Sequence, residues 1–288
     1  MKTHFIPIQG GQLATYSEGQ GAPLIFLHGG PGDTHNYMKR MAKPFFKDYQ
    51  CIFFDQRGTG KSTITNREPT QFNFDLLLQD LFAVQNYYNA TPATLIGHSW
   101  GGMYGLYACM HSPQRFKKAA LLNTGPVDPQ METQSYENIL AAVTDSEKLE
   151  WDQLNVKRTQ ALDAGDVDDV TNIDKKIMVL RVKGWIFDPN LRDAFLTQYF
   201  QDPPTDREVN KWVWQSAKNF FNWDNVKNNT TKTWLCVGQN DVIPVSQAQK
   251  LQKILPNALL TIIDKCGHIP WHEQPEAFYS NLKTFLAD

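Results

Sequence analysis

The chain carries almost no net charge. Its 288 residues hold 28 Lys+Arg against 30 Asp+Glu, a formal charge of −2. A general electrostatic grip on phosphate backbones or acidic membrane surfaces needs a clustered positive excess, so neither a nucleic-acid nor a membrane partner is expected. Cysteine is scarce: Cys51, Cys109, Cys236 and Cys266 lie far apart with no CxxC pair, which argues against a zinc ribbon or a disulfide scaffold. They read as buried small hydrophobes in a reducing, cytoplasmic compartment, with Cys266, two residues before His268, as the candidate for accessibility. No apolar run nears the ~20 residues that cross a bilayer. The opening MKTHFIPIQGGQLATYSEG lacks the continuous hydrophobic stretch of a signal peptide.

What is present is 41% apolar and 12% aromatic residues, enough for a sizeable core and too much for bulk disorder. The length suits one large α/β domain or a domain with an insert. Residues 3–8 and 12–17 flank Gly10-Gly11 and read as a β-hairpin. Short apolar runs at Leu24–His28, Cys51–Phe54, Thr94–Ile96 and Ala119–Leu122 read as buried strands. Between them, 37–47, 74–89 and 100–111 have helical spacing, with Leu77, Leu78, Leu81, Val84 and Tyr88 marking one face of the second. Such alternation predicts a mostly parallel sheet covered by helices on both faces.

From about 126 to 230 the pattern is helical, without a convincing buried strand. Strand signals return at Thr233–Val237 and 259–263, with helices at 246–255 and 275–286. The expectation is a core of 1–125 and 231–288 interrupted by a helical insert, 126–230. The insert holds 18 acidic and 12 basic residues and five of the eight tryptophans, Trp151, Trp185, Trp212, Trp214 and Trp223. Two readings fit: solvated acidic helices around a small aromatic core, or a lid selecting a cationic, partly apolar substrate.

Gly97-His98-Ser99-Trp100-Gly101-Gly102 follows a strand and opens a helix, the context Gly-x-Ser-x-Gly requires. A nucleophile on so sharp a turn takes a strained backbone, and side chains two residues to either side would collide across it. The helix that follows aims N–H groups at developing negative charge. Serine needs a base, which a third group orients. Asp241 lies in the loop after the strand Leu235–Val237, and His268 in the loop after the last strand. Both loops leave the carboxyl ends of parallel strands, where open α/β sheets gather their sites. Asp264, four residues before His268, is the rival acid. His98 sits inside the elbow and should point away. His272 has metal-pair spacing with His268, but Ile-Pro-Trp between them lacks the glutamate of His-Glu-x-x-His, and Pro270 breaks the helix; no metal is expected.

A tetrahedral intermediate needs two amide donors aimed at its O⁻. Trp100 supplies one, and Gly30, in His28-Gly29-Gly30-Pro31-Gly32 after the third strand, the other. Gly58-Thr59-Gly60-Lys61-Ser62 imitates the end of a P-loop, but the leading position is Asp55 and the segment after Ser62 does not read as a phosphate-binding helix. Asp55-Gln56-Arg57-Gly58 is expected instead to tether loops beside the site through Arg57.

Taken together, His28-Gly-Gly-Pro-Gly32, Asp55-Gln-Arg-Gly-Thr-Gly-Lys-Ser62 and Gly97-His-Ser-Trp-Gly-Gly102, in this order, resemble the prolyl iminopeptidase branch of the α/β-hydrolases, over about 1–125 and 231–288. The resemblance implies an eight-stranded, mostly parallel sheet with a helical cap between the sixth and seventh strands. It implies a serine aminopeptidase that releases an N-terminal residue, often proline, from short peptides without a cofactor. Ser99, Asp241 and His268 would be its triad, Gly30 and Trp100 its oxyanion donors. Some members carry an amine-binding carboxylate directly after the triad acid; here that residue is Val242. Relatives with similar cores cleave esters, lactones or other amides, and fold does not fix substrate. An esterase or lactonase is therefore the alternative, and a non-catalytic binding module a third, disfavoured because every triad candidate is present.

Overall fold

The structure, a computed structural model, describes residues 2–217 and 226–288. Its first two strands, β1 (His4–Ile8) and β2 (Gly11–Glu18), form the expected hairpin, with Ile8 opposite Gly11. Six longer strands follow in sequence: β3 (Ala22–Leu27), β4 (Tyr49–Phe54), β6 (Ala93–His98), β7 (Phe116–Leu122), β8 (Lys232–Gly238) and β9 (Ala258–Ile263). The sheet runs β1-β2-β4-β3-β6-β7-β8-β9, parallel from β4 onward. A ninth, two-residue strand, β5 (Thr63–Ile64), pairs with β2. It occupies the segment after Ser62, so the P-loop imitation leads into a strand and not into a helix.

Alternate residues of the central strands serve opposite faces. Ile25, Leu27, Leu95 and Leu121 pack in one core, and Leu24, Phe26, Ile96 and Leu122 in the other. On the first face lie α2 (Phe74–Tyr87) and α3 (Trp100–His111). The second face holds α1 (Asn36–Ala42) and the last helix. Burial on both sides explains why these strands read as continuous apolar runs. The helix expected at 37–47 ends at Ala42 and becomes a 3₁₀ turn, Lys43–Phe45, because Pro44 has no N–H to continue the α-helical ladder.

Between β7 and β8, which pair directly, the chain leaves the sheet. It forms α4 (Pro129–Ala141), α5 (Asp145–Ala164), α6 (Val167–Trp185), α7 (Arg192–Tyr199) and α8 (Arg207–Ala217), and no strand among the described residues. With β5 set aside, this excursion separates the sixth and seventh long strands. Helices α5 and α6 share a core around Trp151, Leu154, Ile173 and Ile177. The surplus acid faces outward: Glu150, Asp152, Asp163, Asp166, Asp168 and Asp169 are exposed. Trp223 lies outside the described residues. After β8 come α9 (Val245–Ile254), the short α10 (Pro270–Glu273) and α11 (Pro275–Ala287). Among the described residues no helix is long and apolar enough to cross a membrane. The loops after β3, β6, β8 and β9 all leave carboxyl ends on the same rim of the sheet.

Candidate active site

Ser99 stands between β6 and α3 with φ 55°, ψ −119°, left-handed backbone that an L-residue adopts only when its surroundings compel it. Backbone hydrogen bonds hold it there. Its N–H donates to Leu122 O at 2.9 Å, and its carbonyl accepts from Gly102 and Gly125, both at 2.9 Å. The flanking glycines are steric necessities. A Cβ on Gly97 would lie 2.2 Å from Gly101 O, and one on Gly101 2.0 Å from Leu27 O.

His268 Nδ1 lies 2.8 Å from Asp241 Oδ1. With that nitrogen donating, Nε2 is left to face the cavity that Ser99 and His268 both line. The Asp241 carboxylate also accepts from Asn123 Nδ2 at 2.6 Å and from the Ile243 N–H at 3.2 Å. Asp264 is exposed; Asp241 is the acid in contact with the ring. Among the described residues the Ser99 hydroxyl has no hydrogen-bond partner. Ser99 and His268 thus line one cavity without a hydrogen bond between them; proton transfer requires the hydroxyl to turn toward the ring.

The amides sort themselves by what they already bind. Gly29 N–H is taken by the Tyr37 hydroxyl, while Gly30, next in the β3 loop, lines this cavity with no acceptor for its N–H among the described residues. Trp100 opens α3, where no carbonyl one turn earlier can accept from its N–H. The two donor segments are tied by one residue, Gln56. Its side chain donates to His28 O and accepts from Trp100 Nε1, both at 2.9 Å, while its own N–H donates to His28 Nε2 at 3.1 Å. Burial pushes His28 down to about 4; it is neutral, with Nδ1 donating to Gly29 O at 3.0 Å. Arg57, expected to tether loops through its hydrogen bonds, ties the β4 loop to α2 and to the turn before it from a buried position. Its guanidinium binds Asp80 through Nε at 2.8 Å and Nη2 at 2.7 Å, and reaches Gln71 O at 2.6 Å. Asp55 collects His35 Nδ1 at 2.8 Å and Lys61 N–H at 3.0 Å, organising the loop that imitates a phosphate binder.

His98 does not point away from the site. Its Nε2 is 3.0 Å from His268 O and its Nδ1 3.0 Å from the Tyr37 hydroxyl. A carbonyl can only accept, so Nε2 carries the proton and Nδ1 accepts from Tyr37. Burial holds His98 well below the ordinary histidine value, keeping that tautomer neutral. A chain of bonds therefore runs from Gly29 through Tyr37 and His98 to the backbone of His268. Glu273 completes the support of that loop. Its carboxylate, raised by burial, accepts from the Gly267 N–H at 2.9 Å, the Ile269 N–H at 3.3 Å and the Phe187 N–H at 2.7 Å. Asn123, Gln56, Tyr37 and Glu273 had no motif to reveal them; only Gln56 stood inside a segment singled out beforehand. Cys266, the candidate for accessibility, is fully buried, as are the other three thiols.

The helical excursion roofs a cavity of about 620 Å³. It grips the rim from above: His268 N–H donates to Trp185 O at 2.7 Å, Asp206 N–H to Gly32 O at 2.8 Å, and Asn210 Nδ2 to Pro31 O at 2.7 Å. Trp185, Phe195, Trp214 and Trp271 give the cavity aromatic walls. Among the described residues three carboxylates also line it, and two are neutralised: Asp202 by Arg40 at 2.9 Å, and Asp174 by Arg207 at 2.7 Å. Asp33, three residues beyond Gly30, makes no ion pair among the described residues, although Arg207 and Arg181 act on it through space. It accepts from Thr205 Oγ1 at 2.5 Å, and burial raises its pKa.

The sequence model described as alpha/beta hydrolase fold matches residues 22–166. A proline iminopeptidase of Clostridium botulinum is 36% identical over 109 residues, which are 38% of this chain and 37% of that protein. The chain thus matches little more than a third of that relative's length. Among solved structures, a proline iminopeptidase of Mycobacterium smegmatis superposes with a TM-score of 0.71 at 19% identity, covering 99% of this chain and 98% of its own. An esterase from Exiguobacterium antarcticum gives 0.74 at 19% identity with both chains fully covered. At such identities these two superpositions speak for the fold alone.

Proposed function

The chain belongs to the alpha/beta hydrolase fold family, and from that premise we propose that it is a serine hydrolase, an aminopeptidase releasing an N-terminal residue of the proline type from small peptides. The observation that carries this reading is that Ser99, Gly30 and His268, the last paired with Asp241 at 2.8 Å, line one cavity, with the Trp100 amide next to Ser99 at the start of α3. Ser99 Oγ attacks the scissile carbonyl carbon while His268 Nε2 takes its proton. The carbonyl oxygen becomes an oxyanion between the two amides; losing one such donor typically costs on the order of 10²–10³ in rate. The C–N bond then breaks, and His268 returns the proton to the leaving amine. Water repeats the sequence on the acyl-enzyme, with the serine hydroxyl re-formed. Asp241 holds the ring's tautomer and stabilises its charged form.

Residues 126–230 act as a cap that shuts the cavity to folded proteins. The amine-binding carboxylate is Asp33. It lines the cavity without an ion pair among the described residues, and an arriving ammonium would favour its ionised form. The relatives named proline iminopeptidase support the peptidase over the esterase. A cytoplasmic location is part of the same reading, in keeping with four unpaired thiols.

The test compares prolyl naphthylamide, its N-acetylated form and a short-acyl nitrophenyl ester. The free amine should be cleaved fastest. Equal rates for the acetylated and free amides would remove amine recognition, and preference for the ester would make the protein an esterase. Ser99→Ala should lose turnover on the order of 10⁶-fold and all labelling by a fluorophosphonate, with unchanged melting. Undiminished labelling would remove Ser99 as nucleophile.

A further inference from the structure

Among the described residues four cationic side chains line the cavity: Arg40, Lys175, Arg181 and Arg207. Arg40 and Arg207 are committed to Asp202 and Asp174, and Lys175 is exposed to solvent. Arg181 is in a different state. Among the described residues its guanidinium makes no hydrogen bond and no ion pair, and its Nε is buried without a partner. Its neighbours are the rings of Trp151 and Trp185, each centred 5.8 Å from the guanidinium carbon. Stacking on aromatic faces leaves the in-plane N–H groups of an arginine unused. Burial lowers its pKa from the ordinary value, yet arginine remains protonated in proteins. A buried donor with no acceptor is costly, more so when charged, and a ligand supplying two oxygens would relieve that cost.

We propose that Arg181 receives a free carboxylate of the substrate, so that the preferred peptides are short ones whose C-terminal carboxylate lies inside the cavity with the scissile bond. This rests on the aminopeptidase reading and narrows it. A planar monoanion matches the guanidinium fork, whereas a phosphate dianion would share the cavity with Asp33, Asp174 and Asp202. Asp33 and Arg181, neither of them in an ion pair among the described residues, have opposite signs, the pattern that a zwitterionic dipeptide complements. A cavity of about 620 Å³ is of the size that encloses small ligands.

The experiment measures kcat/KM for Pro-Ala and for Pro-Ala amide in wild type, Arg181→Gln and Arg181→Lys. Wild type should favour the free acid by about 10-fold or more, as expected of a charge-assisted pair. The ratio should fall to near one in Arg181→Gln and stay intermediate in Arg181→Lys. A wild-type ratio near one, or a ratio that survives Arg181→Gln, overturns the proposal; an arginine that merely braces the two tryptophans would slow both peptides alike and leave the ratio standing. If neither peptide is cleaved, the aminopeptidase reading fails. The carboxylate site is then judged by 4-nitrophenyl hemiglutarate against 4-nitrophenyl pentanoate, and by calorimetric titration of glutarate into Ser99→Ala. Arg181-dependent preference or binding sustains the site, and the lack of both overturns it.

Discussion

The rim of the sheet and the helical excursion above it are built by different rules. At the rim, backbone meets backbone. A Cβ on Gly101 would sit 2.0 Å from a carbonyl of the neighbouring strand, and Ser99 is held at positive φ by hydrogen bonds from two directions. In the excursion, side chain meets side chain. Arg207 pairs with Asp174, Lys183 with Glu147, and the helices share a modest core. Gly165, which ends α5 at φ 71°, has nothing within 4 Å of where a Cβ would go. The rim permits few substitutions because each atom there is over-determined; the excursion can exchange charged partners while keeping its helices. Such a division lets one core serve many substrates.

That contrast can be tested where its predicted consequences are largest. Asp241→Asn replaces the acceptor that faces His268 Nδ1 and should lower kcat by about 10⁴-fold, with far-ultraviolet dichroism unchanged. A loss of less than 10-fold would show the ring to be oriented by His98 and Glu273 without it. Gly101→Ala should destabilise by more than about 4 kcal/mol, or prevent folding, because the methyl meets backbone that cannot yield; a denaturant midpoint close to wild type would show the elbow to be less rigid than its contacts imply.

Acid is a third probe of the rim. His28 is held at about 4 by burial, against an unfolded value of about 6.5. Between those values the unfolded chain binds a proton that the folded chain refuses, so stability falls as pH drops from about 6.5 toward 4. The loss at the acid end is on the order of 3 kcal/mol, and His98, lowered in the same sense, adds to it. Melting temperatures across this range should decline steadily; a flat profile would mean that these histidines accept protons in place. The smallest effect belongs to the excursion. Gly165→Ala, strained only by its own positive φ, should cost about 1 kcal/mol and leave kcat/KM untouched.

Alternating apolar runs were enough to foresee the sheet, because strands buried on both faces must be apolar throughout. Strict local geometry likewise made the elbow and the glycine loop after β3 visible, since a sharp turn under a close carbonyl admits glycine and little else. The acid and base could be chosen by chain order and by their place after β8 and β9. The groups that hold them in place could not. Asn123, Gln56, Tyr37 and Glu273 are ordinary residues in ordinary spacing, and each acquires its role from a partner that folding brings near: Asn123 touches Asp241 across 118 positions of sequence.

The net acidity of the excursion was legible as a count, but not its direction in space. Most of that acid faces solvent, two cavity carboxylates are neutralised by arginines, and Arg181, without an ion pair among the described residues, lies where a lid selecting a cationic substrate was one of two expectations. Composition adds charges without regard to position, while a binding site depends on which of them are left without partners. Local sterics are written into neighbouring residues and can be read there; pairing across the fold depends on distances that exist only after the helices have packed.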